Sequence, residues 1–395
     1  MTMRHSRIRR RTFLKYAAAP AAGLAVAPTA GLARDAAVSS PMSPQPAKAG
    51  RVFLTGDGLN LTPSEHAALL ARIVSGEGFQ RDTYLHGGPV EALEARFAAL
   101  LGKERALFFP TGTLANHVAV RVLAGERRRV LVQEESHFYR DEGDCGQLLS
   151  GLNLVPLGSG RATLSLEEVT RAVETAAGPP YPAPVGAISI ESPVRRAMGR
   201  VFDAGEMKKV CAFGRERQIG LHLDGARLFI ASAYTGITPA EYAALFDTVY
   251  VSLYKYFNAP FGAILAGPAR LMERAETLRH QFGSLIYQGW TTAALALHWL
   301  DGFTERFAAA VRHGEQFLRA LEADGRFTIE RPQDGTNVFG IRLASGAPLD
   351  GLRTRLSDAG IAFGGAKGAV QGTININETI TRRPPQDLAR AFAAG

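Results

Sequence analysis

A chain of 395 residues is long enough to bury a full core and reads as one large domain followed by a smaller one. A hydrophobic fraction of 46% fits a globular protein rather than a disordered or fibrous one. The formal net charge of +8 would suit a nucleic-acid or membrane-surface partner, but six of the positive side chains, Arg4, Arg7, Arg9, Arg10, Arg11 and Lys15, lie before residue 34 with no acid among them. The excess therefore belongs to a leader, and a nucleic-acid partner is set aside.

Arg10-Arg11-Thr12-Phe13-Leu14-Lys15 matches the twin-arginine export signal, and a weakly hydrophobic Ala/Gly stretch from Tyr16 to Ala33 follows. Pro20 and Pro28 interrupt that stretch, which is too short and Ala-rich for a membrane span. We expect residues 1–33 to be a signal peptide, cleaved after Ala27 or Ala33, and 34–50 to be a linker. The expected partner is then the twin-arginine export machinery, which carries folded proteins, and the expected location is periplasmic or secreted. No membrane span is expected in the mature form. Cys145 and Cys211 lie far apart, outside CxxC or metal-ligand spacing, and read as small apolar residues with no metal role.

From residue 106 onward short apolar runs alternate with helical stretches. The runs are Ala106–Phe109, Val130–Gln133, Leu154–Leu157, Val185–Glu191, Ile219–Asp224, Thr248–Tyr254 and Gly262–Ala266. Runs this continuous, separated by crossover segments, predict an α/β fold with a mostly parallel seven-stranded sheet covered on both faces. Trp290 to about Ala323 reads as long helix, broken at Asp301-Gly302. Strands at Phe327–Glu330, Val338–Leu343, Ile361–Phe363 and Thr373–Ile376, with helices at Leu352–Ala359 and Pro385–Ala394, predict a small C-terminal α+β domain. The expected division is a large domain over 51–300, with an N-terminal arm, and a small one over 301–395.

Three segments carry chemistry. Phe109-Pro110-Thr111-Gly112-Thr113 follows a strand and opens a helix, so Gly112 and Thr113 offer backbone amides to a phosphate, although a plain helix cap reads equally well. Asp224 ends a buried strand, where a carboxylate either caps the next helix, pairs with Arg227 or serves a ligand. Lys255 sits among Leu253, Tyr254, Tyr256 and Phe257, whose bulk is expected to strip water from the amine and favour its neutral, nucleophilic form. An Asp and a Lys on neighbouring strand ends, about thirty residues apart, form the layout that pyridoxal 5'-phosphate needs: the Lys for a Schiff base and the Asp for the pyridine nitrogen.

Asp224-Gly225-Ala226-Arg227-Leu228-Phe229, Pro110 to Asn116, Ser136-His137-Phe138-Tyr139 and Lys255 to Gly262 together resemble the threonine aldolases within the aromatic amino-acid β-eliminating lyases, over roughly residues 53 to 390. The resemblance implies the aspartate-aminotransferase-like fold type I, with pyridoxal phosphate on Lys255 and its phosphate at Gly112 and Thr113. It also implies His137 stacked on the cofactor ring, Asp224 at the ring nitrogen and Arg227 near the cofactor or substrate carboxylate. Asp82-Thr83-Tyr84 resembles a segment that enters a neighbouring subunit's site, which implies a homodimer or homotetramer and makes Tyr84 a candidate there. Thr55-Gly56-Asp57 resembles the N-terminal segment that enters the site. The implied reaction is retro-aldol cleavage of a β-hydroxy amino acid to glycine and an aldehyde.

Several positions depart from the family pattern. Gly56 stands where a Ser is usual, and Gln371 is the nearest match to an Arg that grips the substrate carboxylate. Losing those partners should cost about 1.5–3 kcal/mol per charged hydrogen bond, for which Arg195, Arg196, Lys367, Arg382 or Arg383 are the possible replacements. The segment after Glu191 lacks the family's His, Tyr254 replaces a Ser, and Tyr287 and His280 stand where basic residues near the phosphate are usual. Tyr254 can equally be a phosphate contact, an acid or base, or packing. The alternatives to retro-aldol cleavage are β-elimination, racemisation or decarboxylation with the same cofactor, or amino-acid binding with little turnover.

Overall fold

Twelve strands form in the computed structural model, which describes residues 50–393. The expected signal and nearly all of the expected linker lie outside the described residues. The strands are β1 (Val52–Phe53), β2 (Arg105–Phe109), β3 (Arg129–Gln133), β4 (Asn153–Leu157), β5 (Val185–Glu191), β6 (Gly220–Asp224), β7 (Thr248–Ser252), β8 (Ala263–Gly267), β9 (Phe327–Glu330), β10 (Val338–Leu343), β11 (Ile361–Ala362) and β12 (Gln371–Asn375). The seven predicted runs all enter one sheet, in the order β2-β8-β7-β6-β5-β3-β4. Every residue of β5, β7 and β8 is buried, as expected for strands covered by helices on both faces.

Only β8 runs against its neighbours, pairing antiparallel with both β2 and β7. The other six strands therefore end at one edge of the sheet. That edge gathers Thr111-Gly112 after β2, Gln133 to His137 after β3, Glu191 at the end of β5, Asp224 at the end of β6 and Ser252 to Lys255 after β7. The strand expected to run to Tyr254 stops at Ser252, so Tyr254 and Lys255 stand on the turn beyond it.

The expected break at Asp301-Gly302 separates the helices Trp290–Leu300 and Phe303–Asp324, with Gly302 left-handed at φ 65. Beyond them β12, β10 and β9 form an antiparallel sheet, while β11 pairs instead with β1 in parallel register, Val52 opposite Ile361. Val52 and Leu54 are fully buried with Phe317, Leu321, Ile341 and Phe392. The N-terminal arm is thus anchored in the C-terminal core, and its next residues, Thr55 to Gly58, are carried to the sheet edge. No helix among the described residues is long and apolar enough to cross a membrane.

Asp82 is fully buried, and its carboxylate accepts the backbone N–H groups of Leu85, Gly289 and Trp290 at 2.8–3.1 Å, capping the helix that starts at Trp290. The following Tyr84 has φ 50, is 51% exposed and lies edge-on to Tyr287. Replacing Asp82 by Ala leaves three N–H groups without their acceptor. We expect a loss of roughly 2–4 kcal/mol in urea unfolding; a loss below about 0.5 kcal/mol would show that the cap is not needed.

Candidate active site

Lys255 borders two adjoining clefts of about 440 Å³ each. One is lined by Gly56, Asp57, His137, Glu191, Arg195, Asp224, Ala226, Arg227, Tyr254 and Lys255. The Lys255 Nζ donates to the Tyr254 hydroxyl at 3.1 Å and lies 4.5 Å from the centre of that ring. Leu253, Tyr256 and Phe257 are buried in the core on the other side of the turn, whereas Tyr254 is 47% exposed. The expected apolar enclosure of the amine is therefore only partial. The arm closes over the Lys255 turn: the Leu59 N–H donates to Asn258 Oδ1 at 2.7 Å, and a Cβ on Gly58 would meet the Lys255 carbonyl oxygen at 2.3 Å, so only glycine fits.

Asp224 is nearly fully buried and held by two donors, Asn116 Nδ2 at 2.8 Å and the Ala226 N–H at 3.1 Å. Asn116 lies one turn into the helix Gly112–Ala124, which crosses the sheet, and its Nδ2 also donates to Glu142 at 3.1 Å. His222, two residues before Asp224, contacts Asn116 Oδ1 through Nε2 at 3.0 Å and Thr248 through Nδ1 at 2.9 Å. Since an amide oxygen only accepts, His222 carries its proton on Nε2 and accepts from the Thr248 hydroxyl. Burial holds this ring neutral, pushing its pKa down to about 4.

His137 opens the turn after β3. Its backbone N–H donates to Glu191 at 2.6 Å, its Nδ1 donates to Asp141 at 3.0 Å, and its Nε2 lies 3.9 Å from Glu142. Asp141 is also paired with Arg196 and Arg195, and the Arg196 hydrogen bond in particular holds its carboxyl well below the usual carboxylate range. Glu191 is buried and lines the cleft; burial, then the Asp224 charge, raises its pKa to about 7. Arg227 donates from Nε to Asp57 at 2.9 Å, and Asp57 also accepts from Asn337 at 3.1 Å. One ion pair therefore joins the arm, the Asp224 turn and the loop before β10.

At the expected phosphate turn, Thr111 caps the helix by accepting the Leu114 N–H at 3.2 Å. A Cβ on Gly112 would meet the Tyr250 hydroxyl at 2.1 Å, so this glycine is required for the helix end to settle over β7. Gly112 and Thr113 are only half-buried and do not line the cleft themselves. Nearby at the same sheet edge, the Ser136 and Ser252 hydroxyls are buried without a hydrogen-bond partner. Orphaned donors of this kind, an amide-bearing helix start and a pinned carboxylate fit a ligand that joins a phosphate to a basic ring nitrogen.

The structure thus gathers His137, Asp224, Arg227 and Lys255 around one cleft, with Gly112 and Thr113 at the same sheet edge. Of the possible replacements for the carboxylate-binding Arg, only Arg195 lines the cleft. Gln371 pairs with Glu330 on the exposed face of the small sheet, and Arg382 and Arg383 bind the backbone of Arg51 and Gly50. His280 is exposed on its helix. Sequence reading missed Asn116 as the partner of Asp224, and missed Asp141 and Glu142 altogether. Asn116 had a signal, four residues after Gly112 and so on the same helix face.

A lysine and an aspartate brought to one cleft at the carboxyl edge of such a sheet fit a fold type I pyridoxal-phosphate protein. Solved structures share the fold. A protein of Exiguobacterium sp. 255-15, provisionally assigned as an aromatic amino acid beta-eliminating lyase/threonine aldolase, superposes with TM-score 0.73 at 24% identity, over 87% of this chain and 96% of that one. The beta-eliminating lyase family model matches residues 71–342, and the chain belongs to that family. It is 30% identical to the low-specificity L-threonine aldolase of Candida albicans over 62% of this chain and 66% of that protein. With the Saccharomyces cerevisiae enzyme it is 32% identical over 62% and 64%. The chain thus spans just under two thirds of the length of these relatives. The cofactor that goes with this family is pyridoxal phosphate.

The ring of His222 should stay unprotonated at pH 5.5, well below its ordinary value of 6.5 and above its folded value of about 4. Nitrogen-15 shifts of labelled histidines would check this; a cationic His222 at that pH would contradict the hydrogen-bond chain behind Asp224.

Proposed function

We propose that this protein is a pyridoxal-phosphate lyase of threonine-aldolase type, which cleaves a β-hydroxy amino acid to glycine and an aldehyde. The observation that carries the reading is the meeting of Lys255, Asp224, His137 and Arg227 around one cleft, in a member of a family whose relatives include low-specificity threonine aldolases. When bound, the cofactor supplies an electron-withdrawing ring that stabilises negative charge at the substrate's α-carbon. Lys255 would hold the cofactor through Nζ, Asp224 would keep a proton at its ring nitrogen, and His137 would flank the same cleft. Arg195, half-exposed at the cleft and already oriented by Asp141 at 2.9 Å, binds the substrate carboxylate. Glu191 takes the β-hydroxyl proton in place of the family His, since a carboxyl tuned to about 7 exchanges protons near neutral pH.

A second reading is α-proton exchange without cleavage. It draws on the missing His and on the alanine racemase TOXG of Cochliobolus carbonum, 30% identical over 51% of this chain. The products separate the two. We infer further that the protein is a homo-oligomer, with the exposed Tyr84 and Tyr287 facing a neighbouring subunit, and that its twin-arginine motif directs it out of the cytoplasm.

Incubated with threonine or allo-threonine, the protein should release equal amounts of glycine and acetaldehyde. Lys255→Ala should lower that rate by at least the 10²–10⁴-fold typical of a lost acid–base group. Scrambling of the α-centre with no aldehyde would replace the reading with the second one. Arg195→Gln should raise KM for threonine by about ten- to a hundredfold, the equivalent of one charge-assisted hydrogen bond; an unchanged KM would remove Arg195 from carboxylate binding.

A further inference from the structure

Glu142 has no part in the reaction as argued so far, yet it is buried beneath the cleft between two groups that do. Its Oε1 accepts one Asn116 Nδ2 hydrogen at 3.1 Å while the same amide gives its other hydrogen to Asp224 at 2.8 Å. That oxygen also lies 3.9 Å from His137 Nε2. Facing Glu142 are Asn116 from the helix Gly112–Ala124, Asp224 from β6, Glu191 from β5, Tyr250 from β7, His137 from its own turn and Cys145 from the next helix. Among the described residues no lysine or arginine nitrogen lies within ion-pair distance of it.

Two ionised carboxylates sharing one amide in a buried site repel, which favours a proton on one of the two. Asp224 has the Ala226 N–H as a second donor. Glu142 has only Asn116 and the weak Cys145 thiol, 3.8 Å away. His137 is bonded to Asp141 through Nδ1 at 3.0 Å and turns Nε2 toward Glu142 at 3.9 Å.

We propose that Glu142 is a positioning residue whose protonated carboxyl group donates to His137 Nε2 and accepts from Asn116, so that one proton ties the His137 ring to the amide that holds Asp224. The two atoms stand 3.9 Å apart, a separation the proposed hydrogen bond shortens. Burial, reinforced by the Asp224 charge, raises the Glu142 pKa well above its ordinary value of 4.5. A raised carboxyl pKa means that the protonated arrangement lasts to higher pH than an ordinary Glu allows and fails as pH rises through the folded value.

The proposal distinguishes Glu142→Gln from Glu142→Leu, because glutamine reproduces the acceptor and donor of the protonated acid and cannot ionise. Its direct test is the infrared difference spectrum of wild-type protein minus Glu142→Gln at pH 7, which should show the C=O band of a protonated carboxyl; carboxylate bands alone would overturn it. This arm needs no turnover, so it stands even where the retro-aldol reading fails. In the holoenzyme, which rests on that reading, Glu142→Leu should lower kcat for threonine about ten- to a hundredfold. Glu142→Gln should recover most of the loss and move the alkaline fall in rate to higher pH. A Gln variant as impaired as Leu, or one with the wild-type alkaline limb, would show that the proton on Glu142 plays no part.

Discussion

Both buried carboxylates beneath the cleft, Asp224 and Glu142, lean on the same side-chain amide, and that amide is itself fixed from behind. Asn116 uses its three hydrogen-bonding positions on Asp224, Glu142 and His222. Burial keeps His222 neutral, so the chain Thr248–His222–Asn116–Asp224 has one direction of donation and no mobile proton. A carboxylate pinned this way presents a fixed negative charge at a strand end, which is what a cofactor's ring nitrogen requires. Preorganisation of this kind avoids reorganising the site during reaction.

The rest of the fold delivers groups to that charge. Parallel strands β5, β6 and β7 end side by side, so Glu191, Asp224 and the Ser252–Lys255 turn need no long loops to meet. The N-terminal arm enters from the C-terminal core, where β1 pairs with β11, and is clamped by the Asp57–Arg227 ion pair. The exposed side of the cleft is lined by Arg195, a possible replacement for the carboxylate-binding Arg, and by Tyr254, which stands where a Ser is usual. Substrate selection is therefore expected to differ from that of the relatives even though the cofactor end is retained.

The sheet was legible because each strand is a short apolar run closed by a charged or turn-forming residue, and burial on both faces writes itself as continuous hydrophobicity. The Asp224 and Lys255 pair was legible for the same reason: charges at the ends of such runs have few bland explanations. Other parts left no local trace. The β1–β11 pairing joins residues some three hundred positions apart through two-residue strands, too short for any periodic signal. Asp141 and Glu142 look like ordinary loop acids in sequence, and only the turn that brings His137 over β5 shows that one binds two arginines while the other is buried without any. Choosing Arg195 from five candidate cations likewise depended on the path of the chain after Glu191. Asp82, read through its resemblance as part of an inter-subunit segment, also caps a helix within its own chain, a role set by residues two hundred positions away.

Cofactor binding by this cleft requires Lys255 as the point of attachment, at the same sheet edge as the carboxylate pinned by Asn116. The most direct measurement is borohydride reduction of the purified protein with pyridoxal phosphate, followed by proteolysis and mass spectrometry of every lysine-containing peptide. A phosphopyridoxyl group confined to Lys255, and formed at one per chain, is the predicted result. Labelling spread over surface lysines, or an unmodified Lys255 peptide, would contradict it.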